Sequence, residues 1–250
     1  MRTTLYYYSG RGNSFNAARQ IASRLGDTAL VPFVRAIETA PDADAGRVGF
    51  IFPVIDLGVP AHIPEYLRWA AAANPQRYYF AVVLNGGMPC GVLAQVEKAL
   101  ASVGARLSAG YLLDVRVLRG QQGNWPSRLA EIVSAIRSNT CPPIPRGSLL
   151  ERLLFTCVGN TLARTYIHSQ DKKFWIDDHC DGCEACVKLC PVNNIIMDNG
   201  RPVWQHQCDQ CFGCYACCPR QAIHTGKKDN AKLRDHHPEL DPGIFEGIPA

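Results

Sequence analysis

The sequence predicts an α/β protein, an open doubly wound parallel sheet followed by a second, smaller domain rich in cysteine. Two observations predict the sheet. Through residues 3–140, short runs of β-branched and aromatic residues take turns with stretches of helical periodicity. The runs are apolar along their whole length, as strands covered on both faces are. A third observation predicts the second domain: of twelve cysteines in 250 residues, eight fall at regular spacing between Cys180 and Cys218.

Residues 3–8, 47–54, 77–84 and 109–117 read as strands, with a weaker one over 29–34. Phe15, Ala18, Ile21, Ala22 and Leu25 recur at helical spacing, and so do Ile63, Leu67 and Ala70. Val92, Val96 and Leu100 form a third helical stripe, and Leu129, Ile132, Val133 and Ile136 a fourth. Strand–helix alternation of this kind resolves into a parallel sheet with helices on both faces. Residues 1–140 are therefore read as the sheet domain. The run CPPIPR at 141–146 cannot continue a helix, because its prolines lack amide donors and fix their own φ. It opens a linker over 141–170 that includes a bridging helix over 149–167. Residues 171–226 form the cysteine-rich domain, and 227–250 a polar tail with no periodicity, read as mobile or as an arm that orders against something larger.

Composition removes whole classes of function. Hydrophobic residues make up 47% of the chain and charged residues 19%, which excludes a collagenous or wholly disordered protein. Twenty-six basic against 22 acidic residues give a net charge of +4 without a dense basic block, so no nucleic-acid partner is expected. No run of eighteen apolar residues exists, so no membrane span is expected. The first thirty residues lack the apolar core of a signal peptide, and dense cysteine in a long unexported chain points to metal or redox chemistry in the cytoplasm.

Cys180, Cys183, Cys186 and Cys190-Pro191 spell C-x2-C-x2-C-x3-C-P, and Cys208, Cys211, Cys214 and Cys218-Pro219 spell it again 28 residues later. Ile195 returns as Ile223 at the same offset, so the segment is an internal duplication. Three cysteines at this spacing can aim three sulfurs at three corners of one iron–sulfur cubane, while the fourth faces away. In bacterial two-cluster ferredoxins that fourth cysteine ligates the other cluster. The expected ligands are Cys180, Cys183, Cys186 and Cys218 for one 4Fe-4S cluster, and Cys208, Cys211, Cys214 and Cys190 for the other. Structural zinc is the competing reading, but it does not ask for a third cysteine at the same spacing followed by Cys-Pro. Cys217 answers to Leu189 in the first copy and is read as a small buried hydrophobe; Cys90, Cys141 and Cys157 are read as ordinary reduced thiols.

After the first strand comes Ser9-Gly10-Arg11-Gly12-Asn13-Ser14, and then the first helix. Strand, glycine-rich loop and helix N-terminus together make a phosphate cradle. An NTPase loop would need G-x4-G-K-[ST], and no lysine stands here; a dinucleotide loop would need a third glycine where Phe15 stands. A mononucleotide remains, beside the plain alternative of a tight turn with a capping serine.

Taken together, these motifs resemble those of the flavodoxin–ferredoxin fusion proteins. YYYSGRGNSF is similar to that family's FMN-phosphate loop, GFIFPVIDLGVP to the loop that covers the flavin, LNGGMPCG to the loop at its pyrimidine edge, and FWIDDHCDGCEACVKLCPVNNI to its first cluster motif. The resemblance implies a flavodoxin-like sheet domain, a bacterial two-cluster ferredoxin-like domain, and FMN held by residues 9–14 with Pro53, Val54, Ile55, Asp56, Asn85, Gly86 and Gly87. Members often carry aromatics where this chain reads Ile55-Asp56-Leu57. The resemblance therefore leaves three options: loose flavin binding, stacking by Trp125 or Tyr111 instead, or an open flavin face. Asp56 is read as a solvated loop residue. The leading expectation is an electron carrier serving protein redox partners through two 4Fe-4S clusters and FMN. The alternatives are a flavin-dependent iron–sulfur reductase of a small substrate, and a ferredoxin subunit whose flavodoxin-like domain has lost FMN and acts as a docking scaffold.

Overall fold

A computed structural model describes residues 1–36, 40–147, 168–226 and 231–237. The bridging helix expected over 149–167, Cys157 and the tail beyond residue 237 lie outside them.

Five strands form the main sheet: β1 (Thr3–Tyr7), β2 (Thr28–Pro32), β3 (Arg47–Pro53), β4 (Tyr78–Asn85) and β5 (Leu107–Asp114). All pair in parallel in the order β2-β1-β3-β4-β5, the strand order of the flavodoxin-like doubly wound fold. Alternate residues feed two cores. Leu5, Ile51, Phe80 and Val82 pack under α1 (Asn13–Leu25) and, after the short helices named below, α6 (Trp125–Arg137). Tyr6, Phe50, Phe52 and Ala81 pack under α3 (Ile63–Ala72) and α4 (Val92–Ala101).

Several element ends differ from expectation, two of them for a clear local reason. The fifth strand stops at Asp114, whose carboxylate accepts a hydrogen bond from the Arg116 amide at 2.8 Å and caps the one-turn helix α5 (Val115–Leu118). Local capping thus overrides the β-preference of Val115 and Val117. The second strand ends at Pro32, and Phe33–Ala36 turns as the short helix α2. Residues 141–147 carry no regular structure.

The C-terminal part has two antiparallel ribbons, β6 (Phe174–Ile176) with β9 (Ile223–Thr225), and β7 (Ile195–Asp198) with β8 (Arg201–Trp204). Two short helices, α7 (Ala185–Leu189) and α8 (Gly213–Ala216), follow the third-from-last cysteine of each motif. The duplication is written into the backbone. Gly182 and Gln210, Glu184 and Phe212, and Asn193 and Gln221 are pairs 28 apart, and all six have positive φ. Each copy's entering strand pairs with the other copy's leaving strand, so neither copy closes without its twin.

Candidate metal centre

Folding brings the eight motif thiols into two crossed groups. Cys180, Cys183, Cys186 and Cys218 line one cavity, together with Met197, Pro202 and Pro219. In the other group Cys214 has the Cys211, Cys190 and Cys208 thiols as its neighbours. Each fourth cysteine therefore sits with the other copy's first three. Cys186 is also among the groups that act on Cys214, so the two sites adjoin. Burial pushes the Cys186 and Cys208 thiols up to about 12 and Cys214 well above its ordinary value. Without metal these groups are neutral thiols, and loading must strip their protons. Among the described residues no three Cys, His, Asp or Glu converge as ligands of one ion. Donors meant for separate irons of a cubane need no such convergence, and the donor set fits 4Fe-4S clusters.

Backbone amides are aimed at several of the sulfurs: Asn194 N–H donates to Cys190 Sγ at 3.2 Å and Gln210 N–H to Cys208 Sγ at 3.3 Å, and the Ala185, Val187 and Gly213 amides act on Cys183, Cys186 and Cys211. Such bonds disperse thiolate charge and raise a cluster's potential. The Asn194 side chain is a buried clamp. It donates to Asp171 Oδ2 at 3.0 Å and accepts from Gln207 N–H at 2.6 Å, while the His206 ring meets the same Asp171 at 2.8 Å. This clamp ties the entry to the first copy to the entry to the second. Cys217 is 3% exposed among Leu189, Ala216 and Phe15, the packing expected of a small hydrophobe.

The glycine-rich loop lies at the carboxyl end of β1; Gly12 is the N-cap of α1 and offers no side-chain cap, while Ser9 Oγ accepts from Phe15 N–H at 3.2 Å. Yet Gly10, Gly12 and Ser14 are buried, and what buries them includes the cysteine-rich domain. A methyl group at Gly10 would lie 2.6 Å from Cys211 Cβ and 2.9 Å from the Cys211 carbonyl oxygen. A methyl group at Gly213 would lie 2.6 Å from the Gly10 carbonyl oxygen. Two backbones meet here with no room for a side chain at either glycine.

A buried carboxylate and the tail also close on the loop. Tyr8, at the end of β1, donates its hydroxyl to Asp209 Oδ2 at 3.1 Å, and His62 approaches the same carboxylate at 3.3 Å. Asp209 is 3% exposed. The tail closes the other side: the Arg11 carbonyl accepts from His237 N–H at 2.9 Å, and Arg119 bridges Asn13 and Asp235. In this docked arrangement the loop does not fit the FMN phosphate implied by the resemblance.

The other residues expected around a flavin stand together at and just beyond the carboxyl ends of β3 and β4, where Val54 N–H donates to the Leu84 carbonyl at 2.7 Å. Val54 and Ile55 pack on the apolar core in company with Val192 and Cys211 of the cysteine-rich domain. Ile55 pairs with Gly58 across a tight loop in which Asp56 and Leu57 have positive φ. Asp56 is half-buried rather than solvated, and desolvation first, then the charge of Asp209, holds its carboxyl at about 6. Pro53 ends β3, Asn85 Oδ1 accepts from Gly87 N–H at 2.9 Å, and Gly86 faces open space. Trp125 and Tyr111 are not placed to stack on a ring at the sheet's edge. Both are core residues beneath the helices, and Trp125 donates to Gln20 Oε1 at 2.8 Å.

Tyr8, His62, Asp171, Asn194 and Asp209 are the residues that sequence reading missed. The partners of Asp209 are 147 and 201 positions away, and no local spacing announces such a pair.

Residues 172–232 match the 4Fe-4S dicluster domain family. Forty residues are 42% identical to an uncharacterized protein of Methanocaldococcus jannaschii, a stretch that is 16% of this chain and 11% of that protein's length. Similar solved structures include a flavodoxin from the domain Archaea (14% identical, covering 54% of this chain and 99% of that one, TM-score 0.39). The two-electron reduced Megasphaera elsdenii flavodoxin is another (13%, 54% and 98%, TM-score 0.41). Rubredoxin oxygen:oxidoreductase of Desulfovibrio gigas is a third (17%, 55% and 36%, TM-score 0.38). No described helix is long and apolar enough to cross a membrane. By strand order and by its matched cysteine segment, the chain joins a flavodoxin-like α/β sheet to a 4Fe-4S dicluster domain.

Proposed function

We propose that this chain is a cytoplasmic electron carrier that moves low-potential electrons between protein redox partners. The observation that carries the reading is the crossed grouping of eight thiols. Cys180, Cys183, Cys186 and Cys218 would hold one 4Fe-4S cluster, and Cys208, Cys211, Cys214 and Cys190 the other. When bound, such clusters supply one-electron transfer. The chain's own part is to hold the thiols at fixed corners, to tune them through the Asn194 and Gln210 amides, and to keep water from the buried sulfurs.

FMN is not part of this reading. The observation that favours the scaffold alternative is the seat formed by Gly10, Tyr8 and the tail, which takes up the place of the phosphate. A reductase acting at a flavin face draws no support from that geometry.

The test is anaerobic purification of the full chain with iron, sulfide and flavin counted, followed by paramagnetic resonance of the reduced protein. Two interacting 4Fe-4S signals and no stoichiometric flavin are expected. Cys190→Ser should perturb the site of Cys208, Cys211 and Cys214. Damage confined to the site of Cys180, Cys183 and Cys186 would refute the crossing, and a colourless zinc protein would refute the whole reading.

A further inference from the structure

The two thiol groups differ in what surrounds them. Around Cys190 and Cys211 the neighbours come from the α/β domain as well as from the cysteine-rich core. Pro191, Cys190 and Lys188 share a pocket with Tyr7, Ser9, Pro32 and Phe33. Val192 and Cys211 pack on the α/β core, Gly213 abuts Gly10, and Asp209 is bonded to Tyr8. Around Cys180 and Cys183 the neighbours are Asp181, Glu184, Pro219 and Arg220, all exposed, and Cys183 is itself exposed. That turn is held by surface ion pairs, Asp181 with Arg220 and Asp178 with Arg201.

The sheet's own topology explains the asymmetry. In an open α/β sheet the ligand crevice lies at the carboxyl ends of the strands where the strand order reverses, here between β1 and β3. That crevice has an occupant, the Cys208–Cys214 turn of the same chain.

We infer that the 9–14 loop has become a seat for this turn, so that the α/β domain shields the Cys190, Cys208, Cys211 and Cys214 site and a redox partner meets the chain at the Cys180–Cys183 face. The inference rests on the two-cluster reading and adds direction to it. One site is a sheltered store and the other is the port, so donor and acceptor use one face in turn. Asp235 and His237 latch the seat from the side by holding Arg119 and the Arg11 carbonyl.

The experiment follows iron loss from the fully reconstituted full-length chain to bathophenanthroline disulfonate under argon. Wild type should release iron in two phases of equal amplitude, the slower by roughly tenfold or more because it waits on undocking. Cys190→Ser should leave the fast phase alone. Gly10→Leu, which forces a side chain against Cys211, should carry its full iron yet lose the slow phase to the fast one. Should that variant fail to fold, Tyr8→Phe removes a single bond to Asp209 and should speed the slow phase roughly threefold or more.

A single phase in wild type, a slow phase untouched by both seat variants, or survival of the slow phase in Cys190→Ser overturns the inference. Stoichiometric quenching of added FMN by the fully loaded wild-type chain overturns it too. A chain that takes up no iron defeats the two-cluster reading instead, which keeps the two failures distinct.

Discussion

The α/β half is built on side chains that water rejects: Phe50, Phe52, Ile51 and Phe80 are 0% exposed, and two continuous apolar layers sandwich the sheet. The cysteine-rich half has a far smaller set, with Phe174, Ile195, Tyr215 and Ile223 packed among Cys186 and Cys190. Its strands are three or four residues long, too short to stand alone as hairpins. The difference teaches where each half gets its stability. One half folds by burying hydrocarbon, whereas the other reserves the middle of its core for metal and uses the polar Asp171–Asn194 clamp to set the entering chains.

Removing the metal should break this comparison most dramatically. Chelation of the iron is expected to unfold residues 171–226 while the parallel sheet survives, since apo forms of small metal-built domains are unfolded. Amide hydrogen exchange would check it: protection lost in β6 to β9, kept in β1 to β5, and newly lost at the 9–14 loop. Equal loss in both halves would mean that the sheet depends on the docked domain.

The reciprocal cut comes next. Phe80→Ala, deep under α1 and α6, should cost about 3–5 kcal/mol in denaturant unfolding of the α/β half, with the iron content unchanged. A fall in iron at native conditions would show that the two halves fold as one cooperative unit.

A smaller effect is expected from the clamp. Asp171, 1% exposed, takes hydrogen bonds from Asn194 and His206. Asn194→Ala leaves that carboxylate short of a donor and Gln207 N–H short of an acceptor, at about 1–3 kcal/mol. Chelator-driven iron loss should accelerate at both sites, because the clamp joins both entering chains; acceleration at one site alone would assign it to that copy.

Asp56 sharpens the comparison at the junction itself. Its carboxyl is held at about 6 against an ordinary 3.8, by burial and then by Asp209, with His62 on the same carboxylate. Below about pH 3 the group is protonated whether folded or unfolded. As pH rises toward 6 the unfolded chain releases the proton first, so the native chain loses stability across that window and carries the full penalty above it. Asp56→Asn should therefore be more stable than wild type at pH 7, by about 1 kcal/mol once solvent screening of a half-exposed group is allowed for, and level with it at about pH 3. A gain of the same size at both pH values would instead reflect asparagine's ease at the positive φ of this position.

Much of this architecture was legible without coordinates, for reasons that are local. Apolar runs and helical stripes report burial residue by residue, so the strand and helix centres were readable and only their ends moved, where Asp114 and Pro32 act through their immediate neighbours. The cysteine motif repeats at a constant 28, and that spacing made the duplication of the dicluster segment readable. The loop at residues 9–14 was legible as a shape, a strand–loop–helix turn, but not as one already occupied by the same chain.

What fills that loop depends on contacts between residues about two hundred positions apart: Tyr8 with Asp209, and Gly10 with Cys211 and Gly213. A phosphate cradle and a backbone seat ask the same things of a sequence, small residues and free amides at the end of a strand. Sequence by itself determined the sheet, its two faces and the paired sulfur motif, because each is a periodic pattern that neighbouring residues enforce. Only the tertiary structure decided that the crevice at the sheet's edge holds part of the chain's own second domain, because docking is settled by shape and charge between surfaces that no local pattern links.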